Sequence, residues 1–173
     1  DEELLFICRT KCERIERRDT KILEQLVVRS IAVKSQYVAA DERESGVRAM
    51  LNLGHTVGHA IEMTLLDTPN ALPHGICVAL GVLAETEWAH RRGACSHETV
   101  EQFRRVLHAI GIPTMPPKLN VKAVLQASRF DKKARRGKLT TPIVHGIGRV
   151  ALTEITMEEM SEMFHSLPGF HDD

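Results

Sequence analysis

Apolar residues recur at helical spacing along most of the chain. Residues 2–15 place Leu4, Leu5, Cys8 and Cys12 on one side of a predicted helix. No capping signal precedes it, so the sequence is expected to begin inside a longer protein. Thr20 can cap a second helix to about residue 39, with Ile22, Leu23, Leu26, Val27, Ile31 and Val38 as its apolar positions. Residues 40–46 are charged and end in a glycine, a loop pattern. A third helix is expected over 47–65 and a fourth over 75–92, with Pro69 and Pro73 in the loop between them. The fourth opens with Ile76 to Ala84, apolar nearly all round, as in a buried helix. Ser96 opens a helix that stops at Gly111 and Pro113, and Asn120 can cap a short one to about Arg129. Residues 139–144 and 149–153 read as a small hairpin in which Pro142 favours an edge position. Thr156 and Glu159 form a capping box for a last helix. The expected fold is mainly α: one multi-helix domain over all 173 residues, with a small β-hairpin near the C-terminus.

Composition narrows the function classes without choosing among them. Lys plus Arg and Asp plus Glu each number 23, so no net field recruits nucleic acid or an acidic membrane. No apolar run approaches the roughly 20 residues of a membrane helix. The acidic start, Asp1-Glu2-Glu3, is unlike a signal peptide. Four scattered cysteines without a CxxC read as reduced structural thiols, and together these features predict a cytoplasmic protein.

The third helix carries the chemistry. At helical pitch Arg48, Asn52, His55, His59 and Glu62 share a stripe about 80° wide, with Met50, Leu53, Val57, Ala60 and Ile61 opposite. Gly54 and Gly58 each cost about 1 kcal/mol relative to Ala, and their spacing would admit another backbone at close range. His55 and His59 at i, i+4 can converge on a metal ion, although Thr56 stands where an HExxH helix has its glutamate. Paired histidines are often merely structural; here a third, His74, can return to the same point after a proline-bounded loop. Lys34 lies on the apolar face of its helix, either as a snorkelling rim residue or as a cation turned toward an anionic substrate. Lys132 and Lys133 sit in a basic loop of the sort usually just solvated.

Asp41-Glu42-Arg43-Glu44-Ser45-Gly46-Val47-Arg48, running into Leu51-Asn52-Leu53-Gly54-His55-Thr56-Val57-Gly58-His59-Ala60-Ile61-Glu62, closely resembles the central signature of 3-dehydroquinate synthases. His74-Gly75, Asp131-Lys132-Lys133 and the Ile147-Gly148 turn resemble later landmarks of that family, in order. The resemblance implies the C-terminal half of a two-domain sugar-phosphate cyclase, with His55 and His74 as ligands of zinc (or cobalt). It implies substrate contacts from Lys34, Arg48, Asn52, His59 and one of Lys132 and Lys133, and proton transfer involving His59 and Glu44. NAD would serve the full enzyme, bound mainly by an N-terminal domain absent here, which would also supply the third protein metal ligand. The substrate implied is a seven-carbon sugar-acid phosphate, oxidised, relieved of phosphate, reduced and cyclised, and a homodimer fits the same picture.

One position departs from the family pattern. Ile76 stands where a glutamate usually follows His-Gly, so a contact supporting the metal site is expected to be lost. The loop before His74 is also longer than usual. Three rival readings remain at this level: a cyclase of the 2-deoxy-scyllo-inosose synthase type, a glycerol dehydrogenase-like metal-dependent alcohol dehydrogenase, and a non-catalytic helical module.

Overall fold

The computed structural model describes residues 1–43, 46–127 and 137–172. Helices dominate. In chain order the elements are α1 (Glu2–Thr10), α2 (Cys12–Glu16), α3 (Thr20–Ala40), a 3-10 turn (Val47–Asn52), α4 (His55–Leu65), α5 (His74–Arg91), α6 (His97–Ala109), β1 (Leu119–Asn120), α7 (Val121–Ala127), β2 (Lys138–Gly146), β3 (Arg149–Thr156), α8 (Met157–Phe164) and β4 (Phe170–His171). β2 and β3 form the expected antiparallel hairpin, Pro142 facing Leu152, with a register shift between Val144 and Gly146. A two-residue parallel pairing of β1 with β4 was not legible, because such short segments carry no periodicity.

The core forms around α5. Its buried residues Leu80, Leu83, Ala84 and Trp88 join Val57, Ala60 and Ile61 of α4 and Met160, Met163 and Phe164 of α8. Glycines allow the first contact to be close. A Cβ on Gly58 would lie 2.8 Å from the Val78 Cα, and one on Gly81 would overlap the Gly54 carbonyl oxygen. The close backbone approach expected from Gly54 and Gly58 is therefore present. From the other side, the Thr56 and Thr141 hydroxyls, 3.1 Å apart, tie α4 to β2.

Several sequence expectations are corrected at the N-terminal end. The first helix does have a cap: the Asp1 carboxylate accepts from the Leu4 amide at 2.9 Å. That helix breaks at Lys11 instead of running to residue 15. The second is capped by Asp19 and not Thr20, the aspartate carboxylate accepting from the Lys21 and Ile22 amides. Along α3 only Ile22 is buried, while Val27 and Ile31 are 57% and 58% exposed. Of the expected apolar positions Ile22, Leu23, Leu26 and Val38 are buried or half-buried, whereas Val27 and Ile31 face away from the rest of this chain.

The third expected helix is two elements. Val47–Asn52 form a 3-10 turn, Gly54 adopts φ 76, and the α-helix begins only at His55. Gly54 lies against Val78 and Val82 of α5, so the chain reaches that contact through a left-handed conformation that interrupts the helix. A single polar stripe through Arg48 and Glu62 is consequently not what the structure contains.

Candidate metal and substrate site

The break divides the polar residues into two groups that share His55. Ahead of it, Arg48 and Asn52 join Lys34, Ser30, Val33, Leu51 and His55 around an open cleft of about 540 Å³ between α3 and the 3-10 turn. The Asp41 carboxylate shapes this turn, accepting from the Gly46 amide at 2.7 Å and the Arg48 amide at 3.1 Å. Arg48 itself donates Nη1 to the Glu42 carbonyl oxygen at 2.9 Å. Lys34 is exposed and lines this cleft beside Leu4, Val33 and Leu51.

Behind the break, three imidazoles gather. The ring centroids of His55 and His59 are 5.5 Å apart, those of His55 and His74 5.6 Å, and those of His59 and His74 5.3 Å. Glu62, one turn along α4 from His59, adds a carboxylate: its Oε2 lies 2.9 Å from His74 Nδ1 and 3.3 Å from His59 Nδ1. Those hydrogen bonds, that from His74 foremost, hold the Glu62 carboxyl below the usual carboxylate range against a smaller opposing effect of desolvation. His59, Glu62 and His74 present ligand atoms within 4.8 Å of one another. This trio has His59 and Glu62 where the resemblance implies His55, but His55 and His74, with ring centroids 5.6 Å apart, also present imidazole nitrogens of the kind that suit zinc or cobalt. Glu62 had appeared in the sequence as a member of the polar stripe and the last residue of the signature, without a role of its own. Its spacing from His59 was a usable signal, but its contact with His74 depends on the return of the chain after residue 73.

Beneath the site lies a group that sequence reasoning missed. Glu85 is fully buried in α5, and its Oε2 accepts from the Gly54 amide at 2.7 Å. The other oxygen has no hydrogen-bond partner. Burial pushes the carboxyl up to about 8, and the backbone N–H groups of Gly54 and Val57 oppose that only in part. Glu85 thus caps the start of α4 from inside the core, where Gly54 has no side chain to do so. Of the remaining expected site residues, Glu44, Lys132 and Lys133 lie outside the described residues. Ile76, where family members usually carry a glutamate, is half-buried and packs against the core.

Comparison with known proteins gives these features a family. The model of the 3-dehydroquinate synthase C-terminal family matches residues 1–134. A 3-dehydroquinate synthase of Synechococcus sp. (strain CC9605) is 40% identical over 148 residues, covering 85% of this chain and 39% of the relative. Another, from Syntrophotalea carbinolica, is 36% identical over 151 residues, with 87% and 41% covered. The chain therefore spans about two-fifths of the length of the curated relatives it matches. Among solved structures, 2-epi-5-epi-valiolone synthase from Streptomyces hygroscopicus subsp. jinggangensis, with NAD+ and Zn2+ bound, shares the fold at a TM-score of 0.78 and 19% identity, covering 96% of this chain and 46% of that one. A 2-deoxy-scyllo-inosose synthase shares it at 0.71 and 20%, with 90% and 49% covered. On the matched length and the identity to full-length relatives, this chain belongs to the 3-dehydroquinate synthase C-terminal family.

Proposed function

We propose that the chain is the metal- and substrate-binding part of a 3-dehydroquinate synthase, a carbon–oxygen lyase of the shikimate pathway of aromatic amino acid biosynthesis. The reaction converts 3-deoxy-D-arabino-heptulosonate 7-phosphate to 3-dehydroquinate and phosphate in the cytoplasm. The observation that carries this reading is the cleft in which Lys34, Arg48 and Asn52 meet His55, itself one corner of the three-histidine cluster.

Each residue has work suited to its chemistry. Arg48 offers a planar fork that matches a carboxylate by two parallel hydrogen bonds. Lys34 adds a compact cation for the anionic substrate, and Asn52 can both donate to and accept from its hydroxyls. His55 and His74 would hold the metal, and His59 beside them would exchange a proton with the substrate. Glu44 as a proton acceptor and Lys132 or Lys133 as a further substrate contact rest on the family resemblance. Zinc or cobalt, when bound, supplies Lewis-acid polarisation of substrate oxygens. NAD, the third protein ligand to the metal and a homodimer contact belong in this reading to the longer enzyme, whose N-terminal domain would bind the nucleotide.

The test is substrate choice in the protein carrying that upstream domain. Phosphate release should be faster from the heptulosonate phosphate than from a neutral hexose phosphate. Arg48→Lys should lower kcat/KM for the acid substrate by about 30- to 1000-fold, equivalent to about 2–4 kcal/mol, because an ammonium keeps the charge but not the fork. Equal kcat/KM for wild type and Arg48→Lys would transfer the assignment to a cyclase whose substrate lacks a carboxylate.

A further inference from the structure

The three imidazoles have one feature in common that ligand identity alone does not explain. Each has its Nδ1 beside an oxygen supplied by α4 or by the residues leading into it. For His55 this is the Leu53 carbonyl at 3.2 Å. For His74 it is the Glu62 carboxylate at 2.9 Å, and for His59 the same carboxylate oxygen at 3.3 Å. A carbonyl or an ionised carboxylate can only accept, so in a neutral ring each contact requires the proton on Nδ1 and leaves the Nε2 lone pair for a metal.

We propose that Glu62 is a positioning residue that fixes the tautomer and ring orientation of His74, so that His74 offers Nε2 to the metal while Glu62 stays out of the coordination sphere. This deepens the proposed function and rests on its assignment of His55 and His74 as ligands. The need is greatest at His74. His55 receives its acceptor from the backbone two residues earlier, whereas His74 opens α5 after a loop of its own. It is 48% exposed at the side chain and borrows its acceptor from the last turns of α4. A side chain in that setting would otherwise sample several rotamers and the more common Nε2–H tautomer. The contact also joins the C-terminal half of α4 to the first residue of α5. A direct bond from Glu62 to the metal is a different chemistry, since it would take the carboxylate away from the Nδ1 protons that it now accepts.

Tautomer and affinity can be read separately in this chain. Long-range 15N–1H spectra of the metal-free protein above the histidine titration range should show His74 as Nδ1–H. They should show the same in Glu62→Gln, whose amide oxygen still accepts, and a change to Nε2–H in Glu62→Ala. Zinc affinity, measured by competition with a chelator, should fall about 10- to 100-fold in Glu62→Ala and recover at least in part in Glu62→Gln. An Nε2–H tautomer of His74 in the wild type would overturn the proposal whatever the zinc result. So would zinc bound through His74 Nδ1, or a loss in Glu62→Gln as large as in Glu62→Ala, because an amide can orient an imidazole but is a poor ligand. His55→Ala and His74→Ala, measured beside them, test the ligand assignment itself. If neither weakens zinc, that assignment fails independently of the His74 tautomer.

Discussion

Glu85 illustrates how a single residue can be costly and still serve the site. Its buried carboxyl, pushed up to about 8 from an ordinary 4.5, is held in the protonated form when folded and ionises when unfolded. The proton is thus bound more tightly in the native state. The resulting stabilisation is complete below pH 4.5 and is lost as the pH climbs toward 8. Within that window the slope approaches about 1.4 kcal/mol per pH unit. Urea unfolding of wild type and Glu85→Gln across the window should give two curves that lie close together near pH 4.5 and diverge toward pH 8, the wild type falling the more steeply. Parallel curves would mean that Glu85 is ionised in the folded state. Lys34, exposed, and Arg48, half-buried with a donor on the Glu42 carbonyl, instead keep their charges at an open cleft. They were legible as candidates from motif and helical spacing, whereas Glu85 was hidden in an apolar run that gave no sign of a partner.

At the scale of elements, the crossing of α4 and α5 decides where the histidines stand. Gly54, Gly58 and Gly81 let the two backbones touch, and Glu85 lies one turn beyond Gly81 to receive the Gly54 amide. His55 follows Gly54 directly, and His74 starts the partner helix, so any widening of the crossing separates the two. Gly81→Ala should force the Gly54 carbonyl away and cost about 1–3 kcal/mol of stability by overpacking, seen as a lower urea midpoint. It should also weaken zinc binding more than Gly93→Ala, which strains an exposed left-handed position after the far end of α5 from His74. An unchanged midpoint for Gly81→Ala would show that the helices can slide at no cost. The helix boundaries here were only partly legible. Ser96, Asn120 and the Thr156–Glu159 box do cap helices as their sequence signals indicate. The break at Gly54 was missed because it answers to the neighbouring helix and not to its own segment.

The whole molecule leaves one side of its chemistry open. Val27, Val28 and Ile31 of α3 and Phe6 of α1 are exposed, close in sequence to the lysine and the cleft that would meet a substrate. The curated relatives are about two and a half times as long as the matched segment, and the proposed reaction requires NAD. This 173-residue chain alone, supplied with NAD, zinc and the heptulosonate phosphate, should fold and release no phosphate above background. Circular dichroism would check the first part and a phosphate assay the second. Enzyme-like turnover would overturn the division of labour proposed for the longer protein. Zinc should bind weakly in the same preparation, with solvent completing the coordination that two histidines begin.

What the sequence determined by itself was the class of fold, most of the helices, the hairpin and the histidine-bearing motif. These follow from local physics: apolar periodicity, capping residues and breakers act within a few positions of one another. The motif also pointed to a metal and an anionic substrate, because its residue types have few other chemical uses in that combination. Only the tertiary structure decided that Arg48 and Asn52 face a cleft with Lys34, that Glu62 reaches His74, and that Glu85 caps α4 from the core. Each of those contacts joins separate elements through a loop or a helix crossing. At the α4–α5 crossing the geometry follows the backbone approach at Gly54, Gly58 and Gly81, a distance that no pattern along the chain encodes.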